Sequence, residues 1–572
     1  MCGIAGVYSL NSSFFPSEAG VKRMIDVVSH RGPDGEGVWV NEDNKLILGH
    51  RRLSIIDLSA EASQPMHSVD GRFTIVFNGE IYNYKELRSS LVESGWGFKS
   101  HSDTEVLLGL YAQFGKECLS MLDGMFSFAI WDKHEKSLFC ARDRFGEKPF
   151  YYSFGHGEYF AFSSEIKSIR AYFGNIQLDK GILQDYLSGS FHFDDIKTAF
   201  QGVQALPPSH CLFIRNGEIK IERYWEIDLS RKLKLENDKA YYRKFHELFM
   251  ESVNYRLRSD VPVGSSLSGG LDSSTVVGAL AGLEKKEMHT FSARFRSDKD
   301  EGKWIAEVVE NTHMLNHEVW PDEDGFVKEI EKITWHHEYP VGSGSVYAQW
   351  CVMSLPGKFG VKVLLDGQGA DEYLCGYDEL KYYAIWNLFH QGYLSDFLRE
   401  RKLFKENYGR HGRLGVAYLV DPLLKLFGVR RPVYKDGFTI KEQLKTYTTT
   451  RLGELLRYAD RNSMAYSIEV RLPFLSHKLV EFVFSIPDNL IYREGKTKFI
   501  LRESMKAELP EKIYNRTDKI GFAPPQKDWV ESEVFMSKYS EGLKVLSDAG
   551  LQPGADKFKN LATATFIKVF KS

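Results

Sequence analysis

The stretch Val261-Pro-Val-Gly-Ser-Ser-Leu-Ser-Gly-Gly-Leu-Asp-Ser-Ser274 decides how the chain folds. Its apolar run, Val261 to Leu267, reads as a short buried strand. Ser268, Gly269 and Gly270 follow at once, and from Asp272 the run Asp-Ser-Ser-Thr-Val-Val-Gly-Ala-Leu opens an apolar helix. Strand, glycine turn and helix start make a cradle for an anion. Glycines admit close approach of the backbone, and the free N–H groups at the positive end of the helix face negative charge. Ser268, Ser273 and Ser274 add hydroxyl donors, and Asp272 can hold a magnesium ion that accompanies phosphate. The stretch is not a Walker A loop, because no Gly-Lys-Ser/Thr follows. A bare Ser-Gly-Gly could be any strand-to-helix turn; the full SGGLDSS is far more specific.

The same alternation continues outward. Met288-His-Thr-Phe-Ser-Ala-Arg-Phe295 reads as a strand, Glu301 to Asn311 as a helix, and Gly360-Val-Lys-Val-Leu-Leu365 as a second strand ending in Asp366-Gly-Gln-Gly-Ala-Asp-Glu372. Strands alternating with helices predict a parallel, doubly wound sheet with ligands at the carboxyl ends of its strands. SGGLDSS and DGQGADE both sit at such ends and are expected to face one site. Beyond about residue 376 the sequence turns helical and aromatic, an α-helical extension of that domain. Ahead of the loop, Tyr241, Phe245, Leu248, Phe249 and Val253 repeat at helical steps. The polar stretch 229–239 before them is the expected boundary between domains at 1–228 and 240–572.

At 572 residues the chain is expected to form more than one domain. Hydrophobic residues at 43% and charged residues at 26% are those of a soluble globular protein, and a net charge of -3 makes no electrostatic case for nucleic acid or an anionic membrane. No stretch is apolar for long enough to span a bilayer. The N-terminus has no basic flank, so no secretory signal is expected. Cys2, Cys118, Cys140, Cys211, Cys351 and Cys375 have no metal-like spacing and fit a reducing cytoplasm.

Cys2 becomes the first residue once the initiator Met is removed. Thiol and α-amine then share one residue, and an amine with a reference pKa near ~8 can take the thiol proton. Five stretches follow in order: His30-Arg-Gly-Pro-Asp34, Arg51-Arg-Leu-Ser-Ile-Ile-Asp57, Phe77-Asn-Gly-Glu-Ile-Tyr-Asn83, Ser102-Asp-Thr-Glu105 and Arg142-Asp-Arg-Phe-Gly-Glu-Lys-Pro149. Their chemistry suits a free glutamine. Arg52 can hold an α-carboxylate, Glu80 and Asp103 an α-ammonium, and the Asn78 side chain with the Gly79 N–H an oxyanion. Asn78-Gly79 is also a hairpin signal after the alternating run Phe73-Thr-Ile-Val-Phe77.

With these motifs in order, residues 1 to about 215 resemble the class II glutamine amidotransferase domain, an N-terminal-nucleophile hydrolase. The resemblance implies stacked antiparallel sheets flanked by helices, an αββα arrangement, and strands at 125–132, 136–142 and 158–163 suit it. It implies Cys2 as nucleophile and Arg52, Leu53, Ile55, Asn78, Gly79, Glu80 and Asp103 as the glutamine pocket, with Ile55 acting through its backbone. SGGLDSS resembles the pyrophosphate loop of the ATP pyrophosphatases. The whole second half, through Tyr458-Ala-Asp-Arg-Asn-Ser-Met464, Glu469-Val-Arg-Leu-Pro-Phe474 and Gly495-Lys-Thr-Lys-Phe-Ile-Leu-Arg502, is similar to the synthetase domain of asparagine synthetases.

That second resemblance implies ATP and Mg2+, with Asp272 and Asp371 as metal ligands. Ser268, Gly269, Gly270 and Ser273 would grip pyrophosphate, Leu267 and Phe295 would border adenine, and Asp366 and Gly367 would line the nucleotide site. Lys498, ahead of Lys496, would stabilise the adenylate. The partners are small molecules: glutamine, ATP and an acceptor carboxylate, by default aspartate. A homodimer is left open. One position departs from the family pattern. Asparagine synthetases generally read Ser-Gly-Glu-Gly where this chain has Asp366-Gly367-Gln368-Gly369, so Gln368 marks the acceptor site and opens the alternative of a larger carboxylate such as a uronic acid. His336-His337-Glu338 invites a metal reading, but neighbouring histidines point apart, and a loop is expected there.

Overall fold

The computed structural model describes residues 2–571 apart from 12, 156, 175, 191–195, 284–287, 409–438 and 519–520. The first half is built of two six-stranded sheets whose strand pairs are all antiparallel. One sheet has the strand Gly3–Ser9 near its middle, between Tyr159–Ser163 and Leu46–Arg52. The other is centred on Gly124–Asp132, which lies between Phe73–Ile81 and Ser137–Arg142. Strand periodicity divides the side chains between two layers. Ile4, Leu46, Leu48, Val76, Ala129, Phe150 and Phe162 fill the space between the sheets. Phe77, Phe126, Phe128 and Phe139 face the other way, onto a core shared with Val106, Leu107, Leu87 and Leu91 of the helices Asp103–Phe114 and Tyr84–Glu93. Each such side chain contributes ~1.5–3 kcal/mol over exposure. The αββα arrangement is therefore present.

Asn78 and Gly79 do not form a turn. The strand Phe73–Ile81 runs straight through them, pairing Asn78 with Ser127 and Gly79 with Phe126. A β-carbon at Gly79 would lie 2.1 Å from the Met125 carbonyl oxygen, so close approach of the neighbouring strand, not a reversal, demands glycine here.

The second half carries a five-stranded, wholly parallel sheet in the order Leu315–Val319, His289–Ala293, Val263–Ser266, Val363–Leu365, Glu469–Arg471. Val263–Ser266 is central and leads through the serine-glycine loop into the helix Leu271–Leu283. The doubly wound reading thus holds, although the strands are shorter than the apolar runs suggest. The Phe295 N–H, for example, goes to Asp300 rather than to a neighbouring strand. The α-helical extension beyond 376 is present as Asp378–His390, Leu394–Tyr408 and the long Ile440–Met464, and its part at 409–438 lies outside the described residues. The last helix, Lys557–Phe570, buries Phe566, Ile567 and Phe570 in one core with Phe200 and Ile169 of the first half.

Residues 336–338 are not a loop. His336 and His337 close the helix Glu323–His337, and Glu338 caps it in the left-handed region. The histidines do point apart: His336 packs edge-on against His30, and His337 Nε2 lies 2.8 Å from Asn462 Oδ1. Burial pushes both imidazoles down, His337 to about 3. Glu338 joins the halves instead. It accepts the Ile166 N–H at 2.9 Å and meets Arg461 at 2.8 Å, while Arg461 and Arg31 reach Glu165 and Arg31 forks onto Asp460 at 2.8 and 3.0 Å. All these groups are buried, so removing one partner strands a charge at a cost of ~3–5 kcal/mol.

Candidate functional sites

Cys2 leads into the strand Gly3–Ser9 and is buried. Its backbone N–H donates to Asn78 Oδ1 at 2.9 Å, and Asn78 Nδ2 lies 3.5 Å from Ser127 Oγ. Burial pushes the Cys2 thiol up, while a hydrogen bond from the Leu53 backbone and the charge of Arg52 pull it back. Arg52 is anchored by its own loop, donating to the carbonyls of Ser59 at 2.8 Å and of Asp57. The Ile55 carbonyl accepts the Asp260 N–H at 2.9 Å, so its backbone is already tied to the second half. On one edge of the strand Phe73–Ile81, Phe77 N–H donates to Gln64 and Ile81 N–H to Asp103; strand periodicity turns the Gly79 N–H to that same edge.

Glu80 and Asp103 form an acidic pair. Both are buried, and Glu80 Oε2 makes no hydrogen bond. Burial and the neighbouring Asp103 charge push Glu80 well up, and burial pushes Asp103 up to about 6. Two desolvated carboxylates with spare acceptor capacity suit an ammonium group.

In the second half, Asp272 opens the helix Leu271–Leu283 and Asp371 lies in the short helix Ala370–Tyr373. Lys498 Nζ stands between them, 2.6 and 2.5 Å from the Asp272 oxygens and 2.6 Å from Asp371 Oδ1. Burial works against the Lys498 charge, but the two carboxylates outweigh it and hold its pKa above the usual lysine value. Lys496 lies elsewhere, over the Tyr514 ring at 5.1 Å. Ser268, Gly270, Asp272, Ser273, Asp371 and Lys498 line one cavity of about 210 Å³. Gly269 adopts φ +76°, and a β-carbon there would come within 2.7 Å of Trp304 Cβ, so the loop needs glycine on both counts.

A second cavity of about 310 Å³ shares Ser268, Ser273 and Phe522 with the first and is also lined by Leu267, Phe291, Ser343, Gln349, Asp366, Gln368 and Tyr458. Gly367 lies against the backbone of Asp272 and Ser273. Two expectations need correction. Ser274 is buried within its helix and lines neither cavity, because one further residue turns the side chain by ~100°. Phe291, on the same strand run, lines the cavity rather than Phe295, whose ring meets the lining residue Phe522 edge-on at 6.4 Å.

Residues 1–225 match the glutamine amidotransferase domain family and residues 221–544 match asparagine synthase. Asparagine synthetase (glutamine-hydrolyzing) 1 of Bacillus subtilis is 34% identical over 93% of this chain and 88% of its own length. The chain belongs to the asparagine synthase family. A second such synthetase of Bacillus subtilis, number 3, is 31% identical over 90% of this chain and 86% of its own, and amidase chry2 of Gibberella zeae is 28% identical over 88% and 85%. The family uses ATP, and this member joins its synthase domain to a glutamine amidotransferase domain. Among the described residues no helix is long and apolar enough to cross a membrane.

In this asparagine synthase family member the unusual Asp366 is accommodated locally. Its carboxylate accepts the Gln368 N–H at 3.0 Å, and that donor with the nearby Ser266 hydroxyl and Gly367 N–H offsets only part of the burial that pushes its pKa up. Gln368 Oε1 is buried without a hydrogen bond. Arg516 is a residue that sequence reasoning missed. It lines the first cavity, donates to the Gly269 carbonyl at 2.8 Å and pairs with Glu301 at 2.8 Å. No local pattern separates it from a surface arginine. Only the fold brings it 247 residues back to the loop.

Proposed function

We propose that the chain converts aspartate to asparagine, with ammonia taken from glutamine at Cys2 and ATP consumed at the serine-glycine loop, the two halves dividing at 229–239. The observation that carries this reading is the pairing of Asp272 and Asp371 across Lys498 in a cavity that this loop lines. After removal of Met1 the Cys2 α-amine takes the thiol proton, and Asn78 Oδ1 orients that nitrogen. The thiolate attacks the glutamine side-chain carbonyl, and ammonia leaves with the proton. Water then cleaves the thioester to glutamate. Arg52 would take the glutamine α-carboxylate, Glu80 and Asp103 its α-ammonium, and the Asn78 amide nitrogen and Gly79 N–H the oxyanion.

At the other site the aspartate side-chain carboxylate attacks the α-phosphorus and releases pyrophosphate, and ammonia displaces AMP from the acyl-adenylate. Hard carboxylate oxygens from Asp272 and Asp371, with phosphate oxygens as co-ligands, fit Mg2+, which would neutralise charge on the leaving pyrophosphate. Lys498, buried between them, would hold charge that develops at the α-phosphate. The six cysteines are free, which fits a reducing cytoplasm. The relatives' names favour aspartate over a uronic acid.

The test is release of AMP, pyrophosphate and asparagine from glutamine, ATP and low-millimolar aspartate; glutamine hydrolysis without asparagine would sink the assignment of the acceptor. Two finer results are expected. The KM for glutamine should rise as pH falls through about 6, because Asp103 then gains a proton and loses the charge that faces the α-ammonium. A KM flat from pH 8 to 5.5 would separate Asp103 from glutamine. Gln368→Leu keeps the volume but removes the unpaired oxygen in the acceptor cavity. That oxygen would accept a hydrogen bond from the bound acceptor, and losing it, ~1–3 kcal/mol, should lower synthesis from glutamine and from ammonium alike by roughly ten-fold or more, with the KM for ATP little changed. An unaltered rate would exclude Gln368 from the acceptor site.

A further inference from the structure

Arg471 touches both sites. It closes the edge strand Glu469–Arg471 of the parallel sheet and is fully buried. Its guanidinium contacts four separate groups. Nε meets Glu469 at 2.6 Å, Nη1 donates to the carbonyls of Arg256 at 2.8 Å and Arg258 at 2.6 Å, and Nη2 lies 3.3 Å from Glu80 in the glutamine pocket. That approach is to Glu80 Oε1 and is too poorly aligned for a hydrogen bond: Nη2 makes none, and Glu80 Oε2 on the far side of the carboxylate makes none either. The Arg471 backbone serves the other site: its carbonyl accepts the N–H of Asp366, which lines the second cavity, at 3.0 Å.

The segment that Arg471 grips also connects the sites. Asp260 donates its N–H to the Ile55 carbonyl at 2.9 Å and accepts the Asp57 N–H at 2.7 Å, both on the loop that anchors Arg52. Three residues on, the chain enters the strand Val263–Ser266 and then the serine-glycine loop. No solvent layer separates these parts, since Val363 and Met464 are buried in the same core as Phe77 and Ile81.

We propose that Arg471 is a positioning residue shared by the two sites, so that glutamine beside Glu80 and nucleotide on the serine-glycine loop strengthen each other's binding. Nucleotide that settles the loop and Asp366 fixes the strand ends on either side of Arg471, and so holds its guanidinium against Glu80. Glutamine then meets a pocket that is already ordered, and by linkage its binding favours nucleotide by the same factor. The inference rests on the glutamine and ATP reading above.

The test uses the full chain carrying Cys2→Ala, so that glutamine binds without turnover. Glutamine is titrated by calorimetry with and without magnesium α,β-methylene-ATP plus aspartate. The glutamine Kd should fall by about five-fold or more when nucleotide is present, the lower end of ordinary coupling. Adding Arg471→Lys, which keeps the charge but loses the fork, should reduce that ratio below about two while glutamine still binds. Asp260→Ala, at an exposed position that tolerates truncation, should do the same and decides the matter should the Arg471 variant fail to fold. A ratio under two in the Cys2→Ala protein, or the full ratio kept in either added variant, overturns the proposal. Absence of any glutamine binding would instead overturn the amidotransferase reading itself.

Discussion

Cys2→Ala is expected to lower glutamine-dependent asparagine formation by at least about a thousand-fold, while ammonium salts support synthesis at close to the unmodified rate. Only the thioester step needs the sulfur, and a thousand-fold loss corresponds to ~4 kcal/mol of barrier. The substitution is structurally mild. It removes one buried sulfur and leaves the Cys2 N–H bond to Asn78 and the Arg31 bond to the Cys2 carbonyl in place. The two substrates therefore separate chemistry from folding. Loss of both activities together, with an unchanged melting temperature, would mean that the first half does more than supply ammonia.

Asp272→Asn and Asp371→Asn should have the converse effect. Each takes one negative charge from the pair that surrounds Lys498 and leaves an amide oxygen that can still accept from it. Pyrophosphate release should fall by roughly a hundred-fold or more in each, because a neutral amide binds a divalent cation weakly and leaves Lys498 facing less charge. Glutamine hydrolysis should persist, since neither residue lies in the glutamine pocket. A variant with unchanged pyrophosphate release would remove that aspartate from the nucleotide site.

The sequence by itself determined the local geometry. Continuous apolar runs bounded by turn residues place Gly124–Asp132, Ser137–Arg142 and Leu271–Leu283 close to where they lie, because elements buried on every side need no polar face. The serine-glycine motif also placed Asp272 at the opening of the helix where it stands. Asn78-Gly79 could not be read locally as strand or turn. The Met125 carbonyl packed against Gly79, from a strand about 45 residues on, settles it as strand. Likewise Ser273 and Ser274 look alike in sequence, and only the docking of their helix turns one to the cavity and buries the other.

Long-range charge was not legible at all. Arg516 carries no local mark, and Arg471 lies in the quoted stretch Glu469–Phe474 without any role that the stretch itself declares. Their roles come from carbonyls and carboxylates hundreds of residues away, which meet them only after the sheet has formed. The reading of 336–338 as a loop failed for a related reason. Glu338 reads as an ordinary surface acid, yet Arg461 and the backbone at 166–167 stabilise it in the interior at the end of a helix. Hydrophobic patterning acts between neighbours in sequence, so the chain declares it. Buried ion pairs are stable only when partners from distant segments arrive together, and tertiary structure alone decides which charges those are.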